Sequence, residues 1–541
     1  MEHSVKEQFN WSWSFIKPYR FSMVGFLSSE LISLFFSLFF IWMSKKAIDA
    51  AIHGNPQEVT DCLYWVAISL FISFLANLLG NRLNERTKAK MLIDLQNQIT
   101  SRQMYAQWMR TSDWHTGELL VRTNADSQET IQVLGNIWIS TIITLVRILA
   151  AIALLYWMDP LLALILLGVC PLILLSKSFF RKLRKLNRLL KEQEGELGKV
   201  MQENFRNRLF IRSVNWESAR WQKVLDSQNA IYLKKLNLLD FSTFSRGTLG
   251  VVMQLSYLIT FIWGVSKLQS SEITFGTMSA FLQLVGRIQG PLVTLMRYVP
   301  LMVRFRSSLD RVMEVLNVPI EHKTAQKKLD AIDRLCLHNV TFRYGKESFI
   351  KELSMDFPKG VPVAIFAPSG KGKTTLLRIL MGLFPVEKGE VLLQKDDQLW
   401  SISEALRCNF AYVPQGDKLL SGTIADNLGI NNTEHSEEEI QDAINLACAE
   451  YIYTLPKGLD TIVGEGGYGL SEGQAQRIGV ARAILQNSSV WLFDEITSAL
   501  DDSTSRRLVT NLIDRGKDKV IIFVSHDRAL NEMCKIIYTI E

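Results

Sequence analysis

Six apolar stretches, near 21–43, 63–80, 134–157, 161–180, 247–265 and 275–296, punctuate the first 317 residues. Each runs for about 18–24 residues, which at 1.5 Å of helical rise per residue matches the roughly 30 Å of a bilayer core. Buried helices of a large soluble domain are usually shorter and more amphipathic, so the pattern predicts six membrane-spanning helices. A hydrophobic share of 48% in a chain of 541 residues agrees with a substantial membrane part.

The positive charges orient these spans. Arg82, Arg86, Lys88, Lys90, Arg102, Arg110 and Arg122 lie between the second and third stretches, "FFRKLRKLNRLLK" follows the fourth, and Lys17 and Arg20 precede the first. The opposite loops carry mainly Lys45, Lys46 and Lys267. By the positive-inside rule the first set faces the cytoplasm, and both termini with it. The two cytoplasmic stretches, about 81–130 and 181–245, are rich in Glu, Lys, Arg, Gln and Leu, which suits helices that continue past the membrane. The opening residues lack a signal-peptide pattern, so the first apolar segment is expected to stay in the product. The six cysteines, Cys62, Cys170, Cys336, Cys408, Cys448 and Cys534, have no metal-ligand spacing and read as packing residues. A net charge of +6 is modest for this length, and no nucleic-acid partner is expected.

After the polar linker at 318–332 the pattern changes to short β-type runs alternating with helical ones, the mark of an α/β domain over 333–541. There "FAPSGKGKTTLLRIL", 366–380, follows the apolar run "VPVAIF" and opens a helical pattern. Strand, tight loop and helix form the setting of a phosphate-binding loop. Backbone N–H groups around Ser369, Gly370, Lys371 and Gly372 would cradle phosphate oxygens, Lys373 would reach the β- and γ-phosphates, and the Thr374 hydroxyl would ligate Mg²⁺, with Thr375 beside it. Lys371 also reads as a solvated side chain. The loop pattern wants glycine where the chain has Ala367, a change that matters only if the backbone there is left-handed. Further on, the apolar strand in "SSVWLFDEITSALD", 488–501, ends in two acids. Asp494 would help hold Mg²⁺ and Glu495 would polarise the attacking water; a simple capping turn is the other reading. The fold class expected is therefore multidomain: an all-α six-helix transmembrane domain over 1–317 with long cytoplasmic helix extensions, followed by an α/β P-loop ATPase domain.

With these residues in place the chain resembles the ATP-binding cassette transporters, in the exporter-type half-transporter form that fuses six spans to one nucleotide-binding domain. The markers fall in family order: "VTFRY" ending in Tyr344, "YVPQ" ending in Gln415, "LSEGQ" at 470–474, "SALD" ending in Asp501 and "FVSHD" containing His526. The resemblance implies that Tyr344 stacks on adenine and that Gln415 contacts Mg²⁺. It implies that Ser471, Gly473 and Gln474 meet the γ-phosphate of a partner's nucleotide, that Asp501 communicates between subunits, and that His526 contacts the γ-phosphate. It implies ATP and Mg²⁺ as cofactors, and a second half-transporter as partner, most economically another copy of this chain. The implied setting is a lipid bilayer, as a multi-pass protein of the inner (plasma) membrane with a cytoplasmic ATPase domain. Ser471 also reads as a helix N-cap, which is compatible. Departures are Ala367, Glu472 for glycine in the signature, and Ile462 and Gly466 in "TIVGEGG", where the family usually has Glu and Arg. "TSDWHTGELL", 111–120, resembles the segment that docks on a nucleotide domain.

The implied activity is ATP-driven export of a peptide, drug-like or lipid cargo. Import of a metal chelate, or an ATP-gated channel or regulatory protein, are the alternatives, and Glu495 argues against the channel. No amino-terminal peptidase domain is seen, so a peptide cargo is expected to arrive matured. Glu30, Arg147 and Arg287 fall inside spans, where charge is expensive and usually faces a cavity or a partner. Pairing of Glu30 with an arginine and contact with an anionic cargo are both open.

Overall fold

The computed structural model describes residues 4–540 except 112–113, 115, 167–176, 322–324, 345–346, 369–371, 417–418, 433–434, 465–468, 528–529 and 531. It divides into two compact units, 1–100 with 116–316, and 101–115 with 317–541.

The first unit is helical: Val5–Ile16, Arg20–Ile52, Pro56–Met104, Trp138–Met158, Lys177–Arg206, Glu217–Gln269 and Phe275–Leu316 are its main helices. Helices of 49 and 53 residues, Pro56–Met104 and Glu217–Gln269, far exceed what a bilayer needs, as the two Glu/Lys-rich stretches predict. Among the described residues four helical stretches are long and apolar enough to cross a membrane: Val5–Ile52, Pro56–Met104, Thr116–Met158 and Glu217–Gln269. The stretch expected at 161–180 lies partly outside the described residues. The one expected at 275–296 is helical, but Gln283, Arg287 and Gln289 dilute its apolar character. Ile41, Leu155, Leu162, Phe281, Leu284 and Ile288 pack together inside this unit, whereas Phe35, Phe71, Phe74, Leu149 and Trp157 stand exposed, as side chains that face lipid do. Two π-helical turns, Arg122–Asp126 and Val133–Ile137, interrupt the helix that leads into Trp138–Met158.

The second unit is built on two larger sheets. Strands β1 (Arg334–Tyr344), β2 (Glu347–Pro358), β4 (Lys388–Lys395) and β5 (Gln398–Ser401) form an antiparallel sheet in the order β2-β1-β4-β5. Strands β3 (Val363–Phe366), β6 (Phe410–Val413), β9 (Val490–Asp494), β10 (Val520–Ser525) and β11 (Ile536–Thr539) form a parallel sheet in the order β11-β3-β10-β9-β6. The short strands β7 (Gly422–Thr423) and β8 (Ile462–Val463) pair with each other in antiparallel fashion. Every residue of "VWLFD" and "VIIFVS" is buried, as continuous apolar strands covered on both faces must be. Residues 325–333 join this unit: the Leu329 N–H donates to Asn409 Oδ1 at 2.7 Å and Ile332 is fully buried. The stretch 101–115 joins it too, with Gln107 N–H donating to the Pro319 carbonyl at 3.0 Å and Met109 packed against the core that holds Leu380 and Phe384.

Candidate functional site

In an open parallel sheet, ligands bind beyond the carboxyl ends of the strands. Here four neighbouring strands, β3, β10, β9 and β6, each run out into a residue singled out by the sequence: the phosphate loop after Phe366, His526 after Ser525, Glu495 after Asp494, and Gln415 after Val413. Of the phosphate loop, Ser369, Gly370 and Lys371 lie outside the described residues. Ala367 is fully buried and is not among the residues with positive φ, so its Cβ meets no backbone strain. Ala367→Gly is therefore expected to leave ATP affinity within about threefold while lowering stability by roughly 0.5–1 kcal/mol through added chain entropy, read by nucleotide titration and thermal melting. Gly372 does need to be glycine: its φ is +91°, and a Cβ there would lie 2.4 Å from Phe349 Cε1.

Helix Lys373–Leu380 starts at this turn and buries Leu376, Leu377, Ile379 and Leu380, which fixes the direction of its polar first turn. Lys373, only 7% exposed, pairs with the Glu495 carboxylate. The Thr374 hydroxyl donates to Asp494 Oδ2 at 3.0 Å, Gln415 Nε2 donates to Glu495 Oε2 at 2.6 Å, and His526 Nδ1 lies 3.4 Å from Glu495 Oε1. Burial pushes the Asp494 carboxyl up; the Thr374 hydroxyl pulls it back, the neighbouring Glu495 charge adds to the rise, and Lys373 and Tyr412 offset only part of it. Burial also acts to raise Glu495, but the Lys373 ammonium and His526 outweigh it and hold the carboxyl below its ordinary value. Asp494 Oδ1 is buried with no hydrogen-bond partner among the described residues, an acceptor left for a cation. No group of three or more His, Cys, Asp or Glu side chains gathers around a metal-sized site among the described residues.

Tyr344, at the end of β1, reaches the phosphate-loop helix, with its hydroxyl 3.2 Å from Thr375 Oγ1 and its ring edge-on to Phe349 at 5.5 Å. The signature residues are placed differently. Ser471 and Gln474 form a reciprocal cap on helix Glu472–Leu485, with Gln474 N–H donating to Ser471 Oγ at 3.2 Å and Ser471 N–H to Gln474 Oε1 at 2.9 Å. Asp501 caps the next helix, Asp502–Arg515, by accepting from Thr504 N–H at 2.9 Å. Among the described residues the side chains of these three bond only within their own helix starts, and none of them bonds to the Lys373–Glu495 cluster. Gly473 lies against the Ala499 carbonyl. Two residues near the carboxylates escaped the sequence reading: Tyr412, whose hydroxyl is 3.5 Å from Asp494 Oδ2, and Gln476, which donates to the Glu495 carbonyl at 2.8 Å. The available signal for Gln476 was a polar residue among the small apolar ones of "EGQAQRIGVARAIL".

In the membrane unit, Arg147 NH2 and Glu30 Oε2 are 2.5 Å apart, with Glu30 buried. Arg287 feels the Arg147 guanidinium as a like charge and has no ion-pair partner among the described residues. Glu30 is thus paired with Arg147, while Arg287 has no carboxylate of its own among the described residues.

Comparison with known proteins places both units. Residues 20–292 match the family described as ABC transporter transmembrane region, and residues 350–498 match the family described as ABC transporter. The chain is 23% identical over 539 residues to the ATP-dependent lipid A-core flippase of Photobacterium profundum, covering 97% of this chain and 92% of that one. It is 26% identical over 532 residues, with 95% and 91% covered, to a Staphylococcus aureus (strain bovine RF122 / ET3-1) protein whose name proposes multidrug export. A solved structure of a bacterial Atm1-family ABC exporter with ATP bound superposes with a TM-score of 0.80 at 20% identity, over 96% of this chain and 93% of that one, and shares the fold. Since the transmembrane match alone spans about half of the 541 residues and the second match falls on the strand ends that gather Lys373, Asp494 and Glu495, the chain belongs to the ABC transporter family, as an exporter-type, ATP-hydrolysing transporter with its membrane domain and ATPase domain fused.

Proposed function

We propose that two copies of this chain form an inner-membrane exporter that moves an anionic amphiphile out of the cytoplasm, driven by ATP held between the two ATPase domains. The observation that carries the cargo class is the surplus of guanidinium over carboxylate at Glu30, Arg147 and Arg287 on the membrane helices. An unpaired guanidinium inside a membrane domain is costly, and an anionic group passing through gives it a partner. The flippase relatives, named for a lipid A core, and the relative named for drug export support an amphiphilic cargo.

In the ATPase domain, Lys373 exchanges the Glu495 carboxylate for phosphate oxygens when nucleotide binds. Once the ammonium leaves, the main influence that holds the Glu495 carboxyl down goes with it while burial still acts to raise it, so loading the site and freeing the base are one event. Mg²⁺ fits the residues present: the Thr374 hydroxyl, the Gln415 amide and the free Asp494 Oδ1 are hard oxygen donors, too few to cage the ion, as suits a cation that keeps waters and phosphate oxygens. When bound it would offset phosphate charge. Gln415 fixes the second Glu495 oxygen, and His526 stands ready to donate to a phosphate. Ser471 and Gly473, on a capped helix start, would face the partner's nucleotide. The segment at 111–120, which resembles the family's docking segment, would couple closure of the ATPase domains to the membrane helices.

The test is ATPase turnover in proteoliposomes against a panel of anionic, neutral and cationic amphiphiles. Anionic members are expected to stimulate most. Arg147→Gln and Arg287→Gln are each expected to reduce the ratio of stimulated to cargo-free turnover several-fold. Stimulation by cationic members alone, or an unchanged ratio in both variants, overturns the cargo class.

A further inference from the structure

Glu495 is held in an unusual backbone conformation. Its φ is +51°, a left-handed value that a residue with a side chain adopts only when its surroundings impose it. Both of its peptide groups are anchored. The N–H donates to the Val524 carbonyl at 2.8 Å, on the strand that carries His526. The carbonyl accepts from Ser498 N–H at 3.2 Å and Ser498 Oγ at 3.0 Å, both within the turn, and from Gln476 Nε2 at 2.8 Å, the one anchor among these that reaches the carbonyl from another element. Gln476 is 3% exposed, and its Oε1 has no hydrogen-bond partner among the described residues, so the Glu495 carbonyl is what its buried amide serves.

The same helix meets the same turn at a second point. A Cβ on Gly473 would lie 2.5 Å from the Ala499 carbonyl oxygen, so the helix start and the 495–501 turn are in backbone contact. Gly473 is thus required inside its own chain, apart from any nucleotide across an interface. Helix Glu472–Leu485 and the turn that bears Glu495 are joined at Gly473–Ala499 and at Gln476–Glu495.

We propose that Gln476 is a positioning residue for hydrolysis: by holding the Glu495 carbonyl it fixes the left-handed turn that aims the carboxylate, and it ties the base to the signature helix of its own chain. The inference rests on the reading of Glu495 as the base. Gln476→Met keeps the volume and removes the donor, so it should lower kcat about tenfold and leave the KM for ATP within about twofold, since no nucleotide contact is touched. Gln476→Glu adds a signature that a packing role would not give. A buried carboxyl donates to a carbonyl only when protonated, so its turnover relative to wild type should recover as pH falls from about 8 to about 6. Measured on the full-length protein in liposomes, with thermal melting of each variant and Glu495→Gln alongside, the outcomes separate. Wild-type kcat in Gln476→Met with an inactive Glu495→Gln overturns the role of Gln476 alone. An active Glu495→Gln overturns the base itself. A loss in Gln476→Met that comes with raised KM and lowered melting temperature, and no pH recovery in Gln476→Glu, reduces Gln476 to a packing residue.

Discussion

Glu495→Gln should bind ATP at least as tightly as the wild type and hydrolyse it about 10²–10⁴-fold more slowly, the range lost when a positioned general base is removed. Both halves follow from the geometry. Lys373 is paired with Glu495, so ATP must compete with a carboxylate for the ammonium; an amide competes less, and binding is retained or strengthened. Gln415 Nε2 donates to the second carboxylate oxygen, a bond that the Gln side chain can keep through its carbonyl oxygen, so the local structure survives. What disappears is the atom that takes the proton from water. Equilibrium binding of a fluorescent ATP analogue and single-turnover hydrolysis check the two halves separately. Wild-type turnover would remove Glu495 from the role.

Lys373→Ala should act on the other side of the same pair. It removes the buried ammonium from the phosphate loop and leaves Glu495, 5% exposed, without its strongest partner. Breaking one side of a buried ion pair costs roughly 3–5 kcal/mol, and a phosphate contact worth a comparable amount corresponds to about 10²–10⁴-fold in ATP affinity. The variant should therefore lose measurable nucleotide binding. The freed carboxyl, left to burial, rises in pKa and takes up a proton at a higher pH than in the wild type. Binding isotherms at pH 6 and pH 8 and a melting curve read these effects. ATP affinity within threefold of wild type at both pH values would show that Lys373 does not serve the phosphates.

That Asp494, Glu495 and His526 sit at strand ends, and Lys373 and Thr374 on the helix after a strand and loop, was legible because an apolar run precedes each, and a buried parallel strand ends at the sheet's carboxyl edge; that these strands are neighbours emerges only in the sheet order. The long helices were legible from composition, as was the possibility that Glu30 pairs with an arginine; which arginine depends on how the helices lie side by side. Other features depend on contacts far apart in sequence. The left-handed turn at Glu495 is held by Val524 and Gln476, and no local signal marks it. Phe349 over Gly372 and the packing of 101–115 with residues near 319 are likewise tertiary. The stretch around Arg287 carries Gln283, Arg287 and Gln289 among its apolar residues, which dilutes its apolar signal.

The most direct measurement is the movement of a fluorescent anionic lipid in proteoliposomes whose ATPase domains face outward, with ATP supplied outside only. The account predicts ATP-dependent transfer of the lipid toward the lumenal leaflet, abolished by Glu495→Gln and slowed by Arg287→Gln. ATP hydrolysis at the wild-type rate with lipid movement in the opposite direction, or with no lipid movement at all, would contradict it.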